Sequence, residues 1–379
     1  MTTHHGQGGG TAAALDDTDA GDEQRRAEAH ERLLAWYAAE GRVHLPWRHA
    51  RDSYAVLVSE IMLQQTQVER VLPKYAEFLA RFPTLAALAA ATPAEVIRAW
   101  SGLGYNMRAV RLREIAVQAV AENGGRLPET LAGLLALKGI GRYTAGAIAC
   151  FAFSLPVATV DTNIRRVLWR VFRGIEPGVW LGGERAASEA LRLAEWALPH
   201  AQAYDWQQAL MDLGATVCVS RRPLCERCPL ATCCAAYAET ARATLFPSGE
   251  ALARLRDERA GEQTEPRALA ETRRVAEARA AYTASGDVAG LAAERRRGRR
   301  QPAFTSTSRY FRGRAVEALR ALGPGEALPL SALGARVKPG YTGADLPWLE
   351  DVVRGLVRDG LARLVEPPDG AEPRVALPE

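Results

Sequence analysis

Four cysteines in one short segment have the spacing of a metal site. In CVSRRPLCERCPLATCC, six residues separate Cys218 from Cys225, two separate Cys225 from Cys228, and five separate Cys228 from Cys234. Thiolates so close in sequence can wrap around one metal centre, because the two-residue gap lets neighbouring sulfur atoms converge on it. This spacing is compatible with zinc and with an iron-sulfur cluster. We interpret Cys233 as a bystander, since its use would shorten the last gap to four residues.

Two carboxylates occupy positions that suit acid-base and electrostatic catalysis. Glu60 in SEIMLQQTQVERV has Gln64 and Gln67 at i+4 and i+7, which predicts a polar stripe on an otherwise apolar helix. Asp161 in VDTNIRRVLWRV precedes an apolar-periodic run, which predicts a helix N-cap. The helix dipole favours an ionised carboxylate there, as an electrostatic catalyst requires. Taken alone, the same residues also fit a polar surface stripe and a simple capping residue.

A glycine turn between two helical segments has the chemistry of a phosphate site. LLALKGIGRYTAGAI reads as a helix end, a Gly-Ile-Gly turn and a new helix. Gly139 and Gly141 allow positive φ and close approach, and the following helix offers unpaired N–H groups to an anion. The segment therefore predicts a helix-hairpin-helix that binds a DNA phosphate. Arg221 and Arg222, inside the cysteine segment, are further candidates for phosphate contact.

Helical patterning surrounds all of these residues. From about residue 25 to residue 237, apolar residues recur three and four positions apart, and alternation typical of strands is nearly absent. We expect an all-α region with helices that begin near Asp52, Pro73, Thr92 and Pro128. Residues 249–302 are rich in Ala, Arg and Glu and predict a charged linker.

The tail from Ser308 has the order of a small winged-helix domain. RYFRGRAVEALRAL predicts an amphipathic helix, LPLSALGARV a short strand and a helix, and LPWLEDVVRGLVRDG a third helix. LARLVEPPDGAEPRVAL predicts two short strands around a turn. The alternatives for this tail are a DNA-contacting module and a packing or dimerisation module.

Composition sets the remaining expectations. A formal net charge of +4 does not by itself demand a nucleic-acid partner. The first 24 residues contain no apolar run, so we expect a disordered start without a signal peptide, and the chain contains no apparent membrane span. Clustered rather than dispersed cysteines favour a metal site in a reducing cytosol.

Taken together, these motifs resemble the helix-hairpin-helix DNA glycosylase superfamily, and within it the MutY-type adenine glycosylases. The resemblance covers over half of the chain, from about residue 32 to residue 237, and the motifs occur in the family's order. They are LPWR, SEIMLQQTQV, GLGY, GIGRYTAGAI, VDTN, MDLGATVC and the four-cysteine segment.

The resemblance implies a fold and a cofactor. Residues 51–155 would form a six-helix barrel, and residues 25–50 with 156–246 would form a second helical domain. The second domain would hold a [4Fe-4S] cluster on Cys218, Cys225, Cys228 and Cys234. A linker at 247–307 and a winged-helix-like domain at 308–379 would follow, after a disordered segment at 1–24.

The resemblance also assigns roles to residues. Glu60 matches the glutamate that protonates adenine N7, with a pKa expected to be raised in an apolar pocket, and Asp161 matches the aspartate that stabilises the sugar cation. Asn163 matches an asparagine that helps to hold the catalytic groups. Tyr143 stands where relatives that also cut the strand have a lysine, which implies base release without strand cleavage. Contacts to double-stranded DNA are expected from Gln64, Gln65, Thr66, Gln67, Tyr105, Lys138, Gly139, Gly141, Arg142, Arg221 and Arg222.

The sequence departs from the MutY pattern at several places. Asn106 follows Tyr105, where the family usually has a second tyrosine, and Thr162 stands where it commonly has glycine. Lys138 replaces a usual proline, so that weak lyase chemistry at this amine stays open. No counterpart of the Nudix-like domain that recognises 8-oxoguanine is apparent, and the linker and tail occupy its place.

Three functional hypotheses follow. The first is a monofunctional glycosylase in the cytoplasm, associated with the nucleoid and acting as a monomer, that removes adenine opposite 8-oxoguanine or guanine. The second is a thymine or uracil mismatch glycosylase like Mig, favoured by Asn106 and disfavoured by LQQTQ. The third is a lesion-binding protein without catalysis, disfavoured by the presence of both carboxylates.

Overall fold

The structure is a computed structural model that describes residues 20–174, 184–245, 305, 307–366 and 371–379. Helices dominate these ranges, which confirms the predicted all-α class. No helix within them is both long and apolar enough to cross a membrane. The predicted linker at 249–302 lies outside the described residues.

The α-helices up to residue 245 vary from one turn to more than five. In chain order they are α1 (Ala20–Glu40), α2 (Pro46–His49), α3 (Ser53–Leu63), α4 (Val68–Arg81), α5 (Leu85–Ala90), α6 (Pro93–Ala99), α7 (Met107–Asn123), α8 (Leu131–Ala136), α9 (Arg142–Phe151), α10 (Thr162–Phe172), α11 (Glu184–Trp196), α12 (Ala203–Thr216) and α13 (Ala235–Leu245). Short 3-10 turns follow α11 and lie within the cysteine segment, at His200–Gln202, Cys225–Arg227 and Ala231–Cys233.

The described residues divide into two compact units. The first unit comprises the described parts of Met1–Gly41 and Val160–Leu291, and the second those of Arg42–Thr159 and Ala292–Glu379. In the first unit, α10 packs against α11, α12 and α13, and α1 packs against α12. Trp206 of α12 is 1% exposed at the centre of this unit, with the ring of His30 edge-on at 4.7 Å.

Side-chain caps define the helix starts of the second unit. Asp52, Thr84, Thr92 and Thr130 each accept a hydrogen bond from the N–H three residues later, which satisfies a donor that the helix itself leaves open. Thr92 and Glu95 form a reciprocal capping box. The helices predicted near Asp52 and Thr92 are thereby confirmed.

Other predicted starts are wrong. Helix α4 begins at Val68, and Pro73 lies inside it. Val71, Tyr75 and Phe78 of α4 are buried, so apolar burial outweighs the hydrogen bond that the proline removes. The helix expected near Pro128 begins only at Leu131, after its cap. Residues 20–24, expected to be disordered, are helical, with Asp22 and Glu23 in the first turn of α1, where the helix dipole favours acidic side chains.

The tail has the predicted order of elements. It consists of α14 (Ser308–Arg320), β1 (Leu328–Pro329), α15 (Leu330–Val337), α16 (Leu346–Arg358), β2 (Arg363–Val365) and β3 (Arg374–Ala376). The sheet order is β1-β3-β2 and both pairings are antiparallel. Val375 is opposite Leu328 on one side and Leu364 on the other.

This tail shares a hydrophobic core with α6 of the second unit. Ala94 and Ile97 of α6 belong to the same buried cluster as Val316 and Leu319 of α14. The backbone N–H of Ala94 donates a hydrogen bond to the carbonyl of Pro378 at 2.8 Å. The tail is therefore packed on α6 rather than only tethered to it.

Candidate active site and nucleic-acid interface

A turn with Gln64 to Gln67 and a glycine loop with Tyr105 lie side by side in the second unit. Helix α3 ends at Leu63, so Gln64 and Gln67 lie in the turn before α4 and do not continue the face of Glu60. The predicted polar stripe on one helix is therefore wrong. Gln65 has a φ of 55° and Tyr105 a φ of 45°, in the left-handed region that residues with side chains rarely adopt.

Arg108 joins these two segments. Its Nη1 donates hydrogen bonds to the carbonyls of Ile61 at 3.0 Å, Met62 at 2.8 Å and Gln64 at 2.6 Å. Its Nη2 donates to Thr66 Oγ1 and to two carbonyls of the glycine loop, those of Leu103 at 3.1 Å and Gly104 at 3.1 Å. The fork of the guanidinium thus holds the end of α3, the turn and the loop together.

Burial shapes the electrostatics of this arginine. The side chain of Arg108 is buried, and burial lowers its pKa to about 10, so it stays charged at neutral pH. Its charge lies at the carboxyl end of α3, where the helix dipole favours a cation. Trp100 and Tyr105 place their rings within 5.5 Å of the guanidinium carbon. Carbonyl dipoles and aromatic rings thus surround this charge.

Sequence reasoning gave Arg108 no role, although a signal was present. It occupies a core position of α7, in the buried series that continues with Leu112, Ile115 and Ala119. A charged residue in such an apolar series must find buried partners, because an unpaired buried charge is strongly unfavourable. Its position therefore pointed to a structural role that the sequence could not specify.

Glu60 is a carboxyl group inside the core of the second unit. It is 8% exposed and lies in α3, whose residues from Tyr54 to Met62 are all buried. Few acidic residues are buried to this degree without a functional reason. Helix α3 also packs against α9, which carries the half-buried Tyr143.

The helix-hairpin-helix is present as α8, a turn and α9. Gly139 has a φ of 100°, and a Cβ there would lie 2.7 Å from Cγ of Arg111, so glycine is required by conformation and by space. Gly141 differs from the prediction, because it has a φ of −87° and serves as the N-cap of α9. A Cβ at Gly141 would meet nothing within 4 Å, so no neighbour among the described residues explains this glycine.

The turn faces solvent. Lys138, Gly141 and Arg142 are exposed. The backbone N–H of Lys138 donates to Oε1 of Gln118 at 2.9 Å, which anchors the turn to α7 and leaves the lysine side chain at the surface. The predicted phosphate-binding residues of the hairpin are therefore brought together on one exposed edge.

Asp161 caps α10 in the first unit, as predicted. Its Oδ1 accepts a hydrogen bond from the N–H of Ile164 at 2.7 Å. Burial raises the pKa of this carboxyl, against the opposing effects of hydrogen bonds from the Ile164 and Asn163 N–H groups and of the nearby Arg166 charge. The carboxyl thus lies in a tightly hydrogen-bonded but poorly solvated setting.

Arg166 connects Asn163 to the cysteine segment. Its Nη2 donates to Oδ1 of Asn163 at 3.0 Å and to the carbonyl of Gly214 at 2.7 Å, and its Nε donates to the carbonyl of Cys218 at 2.9 Å. A Cβ at Gly214 would lie 2.7 Å from Cβ of Asn163, so this close approach requires glycine. Sequence reasoning missed Arg166, which positions the predicted catalytic segment against the loop.

The four predicted cysteine ligands are all free thiols in the first unit. Burial raises the pKa of Cys228 to about 12 and that of Cys234 to about 11, and the charges of the other thiolates add to both effects. Arg170 lies beside them, with Nη1 at 3.6 Å from Sγ of Cys218, and it donates to the carbonyls of Val219 and Ser220.

Two further features of the segment bear on the predictions. In the part of the chain that the structure describes, no three His, Cys, Asp or Glu side chains form a metal-binding group. Cys233 is buried, and its thiol donates to the carbonyl of Leu230 at 3.5 Å, in keeping with a packing role. Arg221 and Arg222 are exposed at the start of the segment, as a phosphate contact requires.

We expect Arg108→Met to lower the free energy of unfolding by about 3 kcal/mol, because several buried carbonyls lose their donor. Arg111→Met, one turn later on the exposed face of α7, is the matched control and should change it by less than about 0.5 kcal/mol. Urea unfolding at neutral pH measures both. Equal effects of the two substitutions would contradict the assignment.

We expect Asp161→Asn to be at least as stable as the original chain at neutral pH, since asparagine can keep the cap without charge. Because the folded-state pKa of Asp161 is raised, its contribution to stability is present below the ordinary carboxyl pKa and is lost as pH rises through the folded value. The gap between the two unfolding free energies should therefore widen as pH rises. A gap that narrows over an acidic-to-neutral titration would refute this, and exposed Asp351→Asn is the control.

Comparisons with known proteins agree with this geometry. The family model for HhH-GPD superfamily base excision DNA repair proteins matches residues 58–177. The adenine DNA glycosylase of Homo sapiens is 44% identical over 227 residues, which are 57% of this chain and 41% of that protein. The adenine DNA glycosylase of Mycolicibacterium smegmatis is 46% identical over 203 residues, which are 53% of this chain and 67% of that protein. The chain thus spans less than half the length of the human relative.

A solved structure supports the fold. The structure of a thermostable thymine-DNA glycosylase superposes with a TM-score of 0.53 at 30% identity, covering 57% of this chain and 98% of that one. The family match contains the second half of α3 with Glu60, the hairpin, and the Asp161 cap. The chain therefore belongs to the HhH-GPD superfamily of base excision DNA repair proteins, as a MutY-type member of its endonuclease III-like group.

Proposed function

We propose that the chain is a DNA N-glycosylase that removes adenine paired with 8-oxoguanine or guanine. The observation that carries this proposal is the buried Glu60 on α3 in a chain that is 46% identical to a curated adenine DNA glycosylase. Double-stranded DNA with a mismatched or oxidised base is the proposed partner, and a monomer in the cytoplasm, at the nucleoid, is the proposed form.

The reaction needs one protonated and one ionised carboxyl group. Adenine is a poor leaving group, so Glu60 donates a proton to N7 as the bond between C1′ and N9 breaks. The electron pair of that bond leaves with the base, and the sugar becomes an oxocarbenium ion. The ionised Asp161 offsets this charge, and water then adds to C1′ and releases a proton. The product is free adenine and an abasic site.

Asp161 has to stay ionised in spite of its burial. The N–H groups at the start of α10 and the charge of Arg166 both favour the ionised form, although burial opposes them. Arg166 donates a hydrogen bond to Oδ1 of Asn163, which fixes the side chain that lies two residues after Asp161. These contacts are the means by which the first unit would prepare its carboxylate for catalysis.

Tyr143 determines what the enzyme would leave undone. A lysine at this position could attack C1′ as an amine and cut the strand through a Schiff base. A tyrosine has no such amine, so the proposed enzyme is monofunctional. The exposed Lys138 is assigned to phosphate contact.

Access to the base requires that it leave the duplex. The hairpin residues Lys138, Gly139, Gly141 and Arg142 would bind a backbone phosphate through N–H groups and positive charge. Gln64, Gln65, Thr66, Gln67 and Tyr105 would contact the space that the flipped base vacates. The hydrogen bonds from Arg108 to the backbone of the turn and the loop support this role, because side chains that fill a gap in the base stack need a rigid backbone beneath them. Arg221 and Arg222 would add phosphate contacts.

Adenine is preferred to thymine as the target. The solved thymine-DNA glycosylase is 30% identical, whereas the adenine DNA glycosylases are 44% and 46% identical. Asn106, which prompted the thymine hypothesis, accepts a hydrogen bond from Nη2 of Arg320 in the tail at 2.8 Å. Its presence therefore has an explanation in this chain that is unrelated to the target base.

We also propose that Cys218, Cys225, Cys228 and Cys234 hold a [4Fe-4S] cluster. Each thiolate of such a cluster binds a different iron atom, so its sulfur atoms stand farther apart than the ligands of one zinc ion. Four half-buried thiols fit this arrangement: the charges of neighbouring thiolates help to raise the pKa of Cys225, Cys228 and Cys234, yet the described residues contain no close single-ion group. When bound, the cluster would cross-link the segment, and Arg170 and Arg166 would transmit that order to α10.

A glycosylase assay tests the function. Purified protein is incubated with A·8-oxoguanine, A·G, T·G and U·G duplexes, and we expect adenine release from the first two, with Glu60→Gln slower by about 10²- to 10⁴-fold. Product strands should stay intact until hot alkali is added, and borohydride should trap no covalent adduct in good yield. Thymine or uracil release without adenine release would overturn the proposal.

A cysteine pair tests the cluster. Cys228→Ser should lose iron and visible absorption, because its thiolate is a proposed ligand. Cys233→Ser, a buried thiol five residues later, should retain both in full. Iron analysis of the proteins purified without oxygen measures the difference, and equal iron in the two variants would exclude Cys228 as a ligand.

A further inference from the structure

The tail forms one wall of a cleft. The other wall is formed by the turn and the glycine loop that Arg108 holds together. The cleft has a volume of about 980 Å³, and all of its lining residues belong to the second unit. Gln64–Gln67 and Gly102–Arg108 line one wall, and Arg309, Arg312 and Glu317 of α14 line the other. The residues predicted from sequence to contact DNA thus share a cleft with residues of the tail.

Polar contacts fix α14 at this position. Nε of Arg320 donates to the carbonyl of Ile97 at 2.9 Å, and its Nη2 donates to Oδ1 of Asn106. Arg98 donates in the opposite direction, to the carbonyls of Leu322 at 3.2 Å and Gly323 at 3.3 Å. With the shared apolar core, these contacts set the start of α14 against the loop of Tyr105.

Arg309 reaches Tyr105 directly. Its Nη1 donates to the hydroxyl of Tyr105 at 3.3 Å, and its guanidinium carbon lies 5.1 Å from the ring centroid. Tyr105 is still 44% exposed and Arg309 is exposed as well. An aromatic ring and a cation are thereby presented together to the solvent in the cleft.

The charges of the cleft are unevenly compensated. Arg312 is paired with Asp359, and Arg320 with Glu317 at 2.9 Å. Among the described residues, no carboxylate lies within ion-pair distance of Arg70 or Arg309. Two exposed, uncompensated guanidinium groups in a cleft that amide side chains and a tyrosine also line suit a phosphodiester better than a neutral or cationic ligand.

The helix that a winged-helix module would commonly present to DNA has a different character. Helix α16 carries Glu350 and Asp351 against Arg354 and Arg358, and Arg354 is paired with Asp351 at 2.6 Å. Helix α14 carries Arg309, Arg312, Arg314 and Arg320 against the single Glu317. Charge therefore favours the first helix of the tail, and not its third, as the DNA-facing element.

We propose that Arg309 of the tail binds a backbone phosphate of duplex DNA in this cleft, which Arg70 and Tyr105 also line. This inference rests on the proposed DNA glycosylase function and adds to it a tail-borne contact. In this arrangement the tail extends the surface that bears the turn and the Tyr105 loop. An acidic peptide in the cleft is the competing outcome.

The test measures DNA binding by the full chain with Arg309→Ala. Fluorescence anisotropy follows a labelled duplex whose target adenosine, opposite 8-oxoguanine, carries a 2′-fluoro group that slows bond cleavage. We expect Kd to rise by about three- to tenfold, and the slope of log Kd against log salt to fall by about one, because one phosphate contact is lost. Arg309→Lys should restore most of the salt slope.

Two arginines of the tail serve as controls. Arg314 lies on the same helix outside the cleft lining, and Arg354 lies on α16. Neither Arg314→Ala nor Arg354→Ala should change Kd. Unchanged binding by Arg309→Ala, or an equal loss in either control, would overturn the proposal. Binding of an acidic peptide with no DNA effect would overturn it too.

The wild-type assay separates this inference from the proposed function. Failure of the wild-type chain to release a base from any duplex would refute the glycosylase, whatever Arg309 does. Base release by the wild-type chain, together with unchanged DNA binding by Arg309→Ala, would refute only the inference about the tail. Circular dichroism of each variant checks that its fold is retained.

Discussion

The hydrogen bonds of the Arg108 guanidinium are the interactions on which the proposed DNA-contacting part of the second unit depends. Among the described residues, Arg108 forms no ion pair with a carboxylate. It instead donates hydrogen bonds to carbonyls from α3, the turn and the glycine loop. Such a fork can satisfy several acceptors at fixed angles, which a lysine could not do. Gln65 and Tyr105 remain in unfavourable backbone conformations because this network fixes the segments around them.

The two proposed catalytic carboxyls are placed in different physical environments. Glu60 lies within the helical core, where a charge has little solvent, whereas Asp161 lies at a helix start, where N–H groups and Arg166 favour its charge. Burial nevertheless raises the pKa of Asp161, so its ionisation opposes folding. The ionised Asp161 therefore lowers the free energy of unfolding. The hydrogen bonds of Arg166 in α10 to the carbonyls of Gly214 and Cys218 offset that loss.

The sequence was informative where local chemistry decides the structure. The caps at Asp52, Thr92 and Asp161, the positive φ of Gly139 and the order of the tail follow from residues within a few positions. The end of α3 at Leu63 and the start of α4 at Val68 could not be predicted in this way. The turn between them is held by Arg108, which is distant in sequence. The long-range links made by Arg166 and Arg320 likewise depend on packing that periodicity does not encode.

The attachment of the tail follows from the same principle of satisfying backbone groups across distant segments. Arg320 of the tail donates to the carbonyl of Ile97 in α6, and Arg98 of α6 donates to the carbonyl of Leu322 in the tail. Both hydrogen bonds would be lost if the tail separated from α6. Arg320 also donates a hydrogen bond to Oδ1 of Asn106, the neighbour of Tyr105. Asn106 and Tyr105 thus both join the loop to the tail, Asn106 through Arg320 and Tyr105 through Arg309. The identity of residue 106 and the position of the tail are accordingly best understood together, because Arg320 supplies a hydrogen-bond donor to Asn106.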